Sequence, residues 1–467
     1  MKKRVIIYFF VIILIITNVK CIIRAQKPKE VIRTKIEILC DEDFSKYNFK
    51  GNGSKNNPFL IEDLSISYFS DLIHIKNTTK YFIIQNNFLS SGKKAISIEK
   101  VANNTGKILN NSIQECEDIA INIENSNCIQ IENNYIYYCL LGIKLFGAEN
   151  CIIKNNKVFS SFSGFYEGGT GIYLYNCENV LISNNELKDN SDFGLVISTS
   201  SSIESVSNEI SNNLQGIFVS SSSFLVFEEN NCSHTNYGIF ADKSFEIILK
   251  KNFFLNNENF AIFLLNAYKI QVKKNYIQKG QIGLYNKESS EVNLTRNTIY
   301  KTKKFGIQLI SSEAFIVTEN LINENNVGIT SNNTKNTIIS KNSFIFNQNY
   351  AIFLDEDSSN IIIYLNDFIN NNLNGTSQAY DDGSNNKWYN ENEKVGNYWY
   401  PSNSIGKNYK IDGKANSKDI YVLNEVVYSE NTDLLLTKTS KIFSFIEPTI
   451  LALLCLILER KRKKKIV

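Results

Sequence analysis

Carboxylates, aromatic rings and thiols are the side chains of this chain that could do chemistry, and they fall in a few tight places. Asp355, Glu356 and Asp357 form the best acidic cluster. Clustered carboxylates act as general acid and base in polysaccharide cleavage, and sets of them bind Ca²⁺; as a solvated turn the same run needs no function. Phe165 and Tyr166 stand beside Glu167 within Phe162–Gly169, two rings and a carboxylate that suit a sugar, with a neutral surface insertion as the plainer alternative. The chain's two tryptophans, Trp388 and Trp399, are either a stacking platform for sugar or a cap over a core. The candidate catalytic groups are therefore Glu167, Asp355, Glu356 and Asp357, and the candidate ligand-binding groups Phe165, Tyr166, Trp388 and Trp399. His74 and His234 are the only histidines and Met1 the only methionine, so histidine-assisted catalysis and copper ligation both lack donors.

These residues must be positioned by a repeat. Between Phe82 and Phe368 one pattern is written thirteen times: apolar, any, apolar, two residues, Asn, any, apolar. The anchors are Asn87, Asn111, Asn134, Asn156, Asn185, Asn208, Asn230, Asn252, Asn275, Asn297, Asn320, Asn342 and Asn366, spaced 22 to 24 residues apart except for 29 between Asn156 and Asn185. That longer interval places an insertion at Phe162–Gly169, and loops leaving a solenoid often carry its binding function. A small residue followed by Ile or Leu recurs in phase, as at Gly171, Gly216 and Gly306. Inside each copy the apolar residues alternate, which is strand and not helix spacing. The pattern predicts an all-β, single-stranded parallel β-helix of about 13 coils, with the anchor amides stacked as a ladder and bending the chain through left-handed backbone angles.

The stacking has a consequence for thiols. Cys116 and Cys139 each follow an anchor by five residues, so they should lie one rung apart, within disulfide range; stacked free thiols are the alternative. No Cys-x-x-Cys occurs among the nine cysteines, which argues against a zinc or redox site.

Both ends depart from the repeat. Residues 1–25 read as a signal peptide, with Met1-Lys2-Lys3-Arg4 ahead of an apolar run. Residues 442–458 read as a transmembrane anchor and 459–467 as a cytoplasmic basic tail. With those terminal charges set aside, the body holds 41 basic against 46 acidic residues, so nucleic acid is not an expected partner. Between the ends, 35–66 is an N-terminal cap, 67–370 the coils and 371–430 a C-terminal cap module. The expected location is the cell surface, as a single-pass membrane protein with the β-helix outside.

Two stretches carry a family resemblance. Gly51-Asn52-Gly53-Ser54, followed by Asn57-Pro58-Phe59-Leu60-Ile61-Glu62, resembles the opening of the NosD-like right-handed β-helix proteins of archaea and bacteria. Asp381-Asp382-Gly383-Ser384-Asn385-Asn386-Lys387-Trp388 and Gly396-Asn397-Tyr398-Trp399 resemble the module that follows their coils. The resemblance implies a right-handed β-helix of the carbohydrate-binding or sugar-hydrolase type. It also implies an Asp/Gly-rich run able to hold Ca²⁺, of which Pro401–Gly413 keeps only Asp412, so Ca²⁺ has no specific motif here and no other cofactor is expected. The namesake's copper role finds no support in these residues. Neither the Asp-Pro-His-Glu signature of mannuronan epimerases nor the paired-Asp and His motifs of polygalacturonases is present. The leading expectation is a non-catalytic module that binds glycans or other surface material. The alternatives are a polysaccharide lyase, hydrolase or epimerase using carboxylates on the β-helix face, and a structural envelope component.

Overall fold

The computed structural model describes residues 31–159, 161, 169–401 and 408–427, and the chain divides into two compact units, Met1–Tyr173 and Leu174–Val467. In each unit the repeat winds as a parallel β-helix whose coils supply three strands: one ahead of the anchor asparagine, one after it, and a long strand that begins at the small residue. In the first unit Phe82–Gln85, Phe88–Ser90 and Lys94–Glu99 make one such coil, with Phe88 in register with Ser112, then Tyr135, then Lys157. The second unit repeats the plan, as in the succession Phe253, Tyr276, Thr298. Strand alternation turns every second side chain inward, and residues two after each anchor, from Leu89 to Phe368, are all buried.

Three bends close each coil, and the backbone shows how. The residue before every anchor, from Asn86 to Leu365, has φ between 54° and 57°. A second left-handed residue stands four after the anchor, as at Tyr138, Asp189 and Phe346, and a third nine before it, as at Asn125, Ser221 and Asn266. The expectation that the anchor asparagine itself takes the left-handed angle is thus corrected. The bend falls one residue earlier, even on Glu229, Lys251 and Leu365, because the anchor must turn its amide inward.

That amide explains the repeat's invariance. In the first unit Asn87 donates its N–H and Nδ2 to Asn111 Oδ1 at 3.1 and 3.0 Å, and Asn111 does the same to Asn134. In the second unit the chain of amides runs from Asn185 through Asn366 to Asn397, and ends where Asn397 donates its N–H to Asp419 Oδ2 at 2.7 Å. Each Nδ2 also reaches a carbonyl of the neighbouring coil, as Asn252 does to Phe227 at 2.8 Å. All thirteen anchors are buried, so the ladder satisfies corner amides that the parallel sheets leave open.

The small residue opening the long strand has a steric cause. A Cβ on Gly216 would sit 2.4 Å from Gly238 O, and one on Gly238 would sit 2.5 Å from Ala261 O, so the backbone of the next coil leaves room for little more than glycine or alanine.

Aromatic residues close the ends. Phe44 stacks on Phe59 at 4.4 Å beside Phe82, and Asp41 accepts from Thr78 Oγ1, Thr79 N and Thr79 Oγ1 at 2.6–2.7 Å. At the far end of the second unit Phe368, Trp399 and Tyr409 stack at 4.0 and 3.9 Å with their ring planes nearly parallel.

The expected location as a single-pass membrane protein is corrected: among the described residues no helix is long and apolar enough to cross a membrane. The segments read as signal peptide, anchor and basic tail (1–25, 442–458 and 459–467) lie outside the described residues.

Candidate functional site

Among the described residues, those singled out above do not converge on one site. Phe165, Tyr166 and Glu167 lie outside the described residues. Asp355 is committed to its own turn: it accepts from Ser358 Oγ at 2.6 Å and from the Asn333 N–H at 3.1 Å, while Glu356 and Asp357 are exposed. Among the described residues no three of His, Cys, Asp and Glu group so as to hold a metal ion. Asp412, the survivor of the Ca²⁺-like run, has both oxygens occupied by Thr376 Oγ1 at 2.8 and 2.9 Å.

Trp388 and Trp399 cannot stack a sugar. They are 0% and 3% exposed, and their indole N–H groups donate to the buried carboxylates of Asp381 and Asp419, each at 2.9 Å. Burial pushes the Asp419 carboxyl above the usual range, against four hydrogen bonds that favour the anion. The tryptophans need those partners because a buried indole N–H without an acceptor is costly.

Cys116 and Cys139 are free thiols. Cys139 Sγ accepts from the Cys116 N–H at 3.4 Å, and each thiol points to the carbonyl two residues before it, at 3.7 and 3.6 Å. The two thiols also lie against one another, one rung apart, with no bond between them. Contact with Cys139 and then burial push the Cys116 thiol far up.

The position five after the anchor holds a ladder of its own, which the sequence reading missed. In the second unit Asn190 donates to Asn213 at 2.9 Å, Asn325 to Asn347 and Asn347 to Asn371 in the same way, and Asn371 donates to Gln378, which stands outside that phase. Eight before the anchor, Ser200, Ser222 and Ser244 form a third column, each hydroxyl oxygen accepting from the residue one coil earlier. The signal was the phase of Cys116 and Cys139, which occupy this same place five after the anchor.

Two aromatic surfaces are exposed in part. On the long strands of the second unit Phe218, Phe240, Phe263 and Tyr285 follow one another rung by rung. Phe240 and Phe263 stack at 4.4 Å and 6°, so these two rings spend their faces on each other. In the first unit Tyr135, Tyr137, Tyr138 and Phe159 form a cluster on the strands after the anchors. Tyr135 lies 5.7 Å from Tyr137 and 5.6 Å from Phe159, and Tyr138 lies 5.2 Å from Tyr137, all at steep angles of 57–61°. Tyr135 is 44% and Tyr138 58% exposed, which leaves ring faces open. Burial and the nearby Glu115 raise the Tyr137 phenol, whose oxygen meets Gln114 Oε1.

A polar cluster on the long strands of the first unit was also missed. His74, Ser97, Asn122 and Lys144 stand in one outward column, and Lys76, Glu99, Glu124 and Phe146 in the next. Glu99 lies 3.3 Å from both His74 Nε2 and Lys76 Nζ. Ser97 Oγ donates to Glu99 at 3.4 Å, and Asn122 Nδ2 donates to Ser97 Oγ at 3.2 Å and to Glu124 Oε1 at 3.0 Å. Burial raises the Glu99 carboxyl, yet Lys76, His74 and Lys94 outweigh it and hold the group below the usual carboxylate range. Ser97 and Asn122 are fully buried. Asn122 Oδ1 has no hydrogen-bond partner, and neither has His74 Nε2, whose contact with Glu99 is electrostatic and off the hydrogen-bond axis. Buried orphan atoms of this kind cost about 1–3 kcal/mol each. Repeat phase could have found the cluster, because His74 and Lys76 keep the places that Ser97 and Glu99 hold one coil later.

A family model described as "Right handed beta helix region" matches residues 71–232, 163–275, 206–334 and 260–415. No curated protein matches. Among solved structures, the A-module of the mannuronan C-5 epimerase AlgE6 of Azotobacter vinelandii is similar at 12% identity and a TM-score of 0.46, over 69% of this chain and 91% of that one. PfbA, a surface adhesin of Streptococcus pneumoniae, is similar at 13% identity and 0.43, over 68% and 92%. The family 28 exopolygalacturonase of Yersinia enterocolitica stands at 9% and 0.38, over 63% and 73%. At these values no residue role passes from those proteins to this chain.

Proposed function

Because the chain belongs to the right-handed β-helix family, we propose that it is a non-catalytic module that binds an extended glycan along its exposed strands. The observation that carries this reading is the cluster of Tyr135, Tyr137, Tyr138 and Phe159. Its rings are tilted, two of the tyrosines are well exposed, and each tyrosine joins an apolar face to a hydroxyl, the combination that grips a sugar ring and its oxygens. Full-length protein incubated with immobilised neutral and acidic polysaccharides retains at least one of them, and Tyr138→Ala weakens retention at least fivefold without changing the melting temperature. Retention that Tyr138→Ala and Tyr135→Ala leave unchanged removes the cluster from the binding surface.

A second reading, a polysaccharide lyase, hydrolase or epimerase, is favoured by one arrangement: Glu99 held between His74 and Lys76. It stands behind the first because Glu99 is tied up as an anion by its neighbours, which suits positioning better than proton donation. New reducing or unsaturated ends that vanish in Glu99→Gln bring this reading forward.

A further inference from the structure

Beside the exposed tyrosines of the first unit stands a carboxylate that the structure leaves unpaired. Glu115 and Tyr138 occupy the same corner of successive coils, four residues after Asn111 and Asn134, each with φ of 55°. The Glu115 N–H donates to Tyr137 O at 3.2 Å, so the two corner residues stand one rung apart, about 4.8 Å. Both are exposed, and among the described residues Glu115 has no ion pair. The rings feel its charge: burial first, and then Glu115, raise the Tyr137 phenol.

The rings themselves suit a positive group. Tyr137 meets Tyr135 and Tyr138 at 61° each, and the outer two keep open faces at 44% and 58% exposure. An aromatic face is the negative side of the ring quadrupole and attracts a cation lying over it. A carboxylate one rung away attracts the same cation. The neighbouring charges do not cancel this pull. Lys93 and Lys94 lie one coil before Glu117 and Asp118 and offset those two acids. Lys157 is in register with Tyr135 on the far side, two rungs from the coil of Glu115.

We propose that Glu115, Tyr135, Tyr137 and Tyr138 form a subsite for a protonated amino sugar, with the ammonium group held between the exposed Tyr138 ring and the Glu115 carboxylate and the C–H face of the sugar ring lying on Tyr135. The subsite rests on the glycan-binding reading of the same cluster and names the ligand class for it. A neutral sugar uses the rings alone, and a uronate meets Glu115 with like charge.

The test is calorimetric titration of the full-length chain at about pH 6, where sugar amines are charged. The ligands are a glucosamine tetrasaccharide, its fully N-acetylated form and a tetrauronate. The free amine binds about tenfold more tightly than the acetylated sugar, and the tetrauronate binds weakest. Glu115→Gln, which keeps the size of an exposed side chain, cuts the preference for the amine to about twofold and leaves the acetylated sugar unchanged. Tyr138→Ala weakens both sugars, and both variants melt with the wild type. An acetylated sugar or a tetrauronate that binds as tightly as the amine, with binding still lost in Tyr138→Ala, overturns the subsite and leaves the glycan reading standing. A preference for the amine that Glu115→Gln leaves intact overturns the subsite as well. Tetramethylammonium that displaces the amine sugar at equal concentration shows a site for a bare cation and overturns the sugar class. If none of the three sugars binds, both the subsite and the glycan reading fall.

Discussion

At the residue scale, the fold depends on amides that never see solvent. Asn252, for example, accepts two donations and makes three of its own, so its loss is felt on both neighbouring coils. Asn252→Ala deprives Asn230 of the acceptor for its N–H and Nδ2 and removes the donations to Phe227 O and Asn275. Unpaired buried groups cost roughly 1–3 kcal/mol each, so urea unfolding of this variant shows a large fall in midpoint, against a change within noise for Asn259→Ala, which is exposed and lies outside the left-handed bends. Glu99 gives a pH dependence of definite sign. Its folded value is depressed by Lys76, His74 and Lys94, so its contribution is present above the ordinary glutamate value of about 4.3 and is lost as pH falls through the folded one. Stability measured from pH 6 down to 3 therefore declines, and Glu99→Gln makes that decline shallower; an identical slope in the variant refutes the assignment.

At the scale of elements, the strands need little from their own sequence beyond alternation, because each is held by the strand one coil away. The bends demand more. Left-handed backbone costs roughly 1–2 kcal/mol per non-glycine residue, and side chains such as Leu365 and Phe346 carry it because the residue just after each bend is locked into a buried column. The final aromatic stack is an element in the same sense. Trp399 is sandwiched between Phe368 and Tyr409 and holds Asp419 through its indole N–H. Trp399→Ala costs about 3–5 kcal/mol and unfolds the end of the second unit first, visible as early loss of Trp388 fluorescence on urea titration. Loss of Trp388 signal only together with the far-UV transition shows that the end is not a separate cooperative element.

At the scale of the whole molecule, a repeat distributes its outward positions among many rungs, and most of them carry ordinary solvated side chains. Clustered chemistry on such a face is therefore informative where it occurs. Acidity by itself proved a poor guide: Asp355–Asp357 is dense in carboxylates yet serves a turn, whereas Glu99 and Glu124 lie 25 residues apart in sequence and one rung apart in space. The two tryptophans are interior, which fits the reading of a cap over a core rather than a sugar platform.

Much of this was legible in the chain. The spacing of Asn, Gly and apolar residues by itself determined the parallel coil, the inward face and the anchor ladder, because a period of 22 to 24 residues with strand alternation has few physical solutions. It did not disclose which residue bends, since φ of residue n depends on where residue n+1 must point. Nor did it disclose the columns five after and eight before the anchor, where Asn, Thr, Ser, Cys and small residues all serve and no single letter is invariant. Only the tertiary structure decided that His74, Lys76, Glu99, Asn122 and Glu124 share one surface and that Trp388 and Trp399 do not reach solvent. Neighbours on a solenoid are set by the stacking of coils, and that distance is not written in local order.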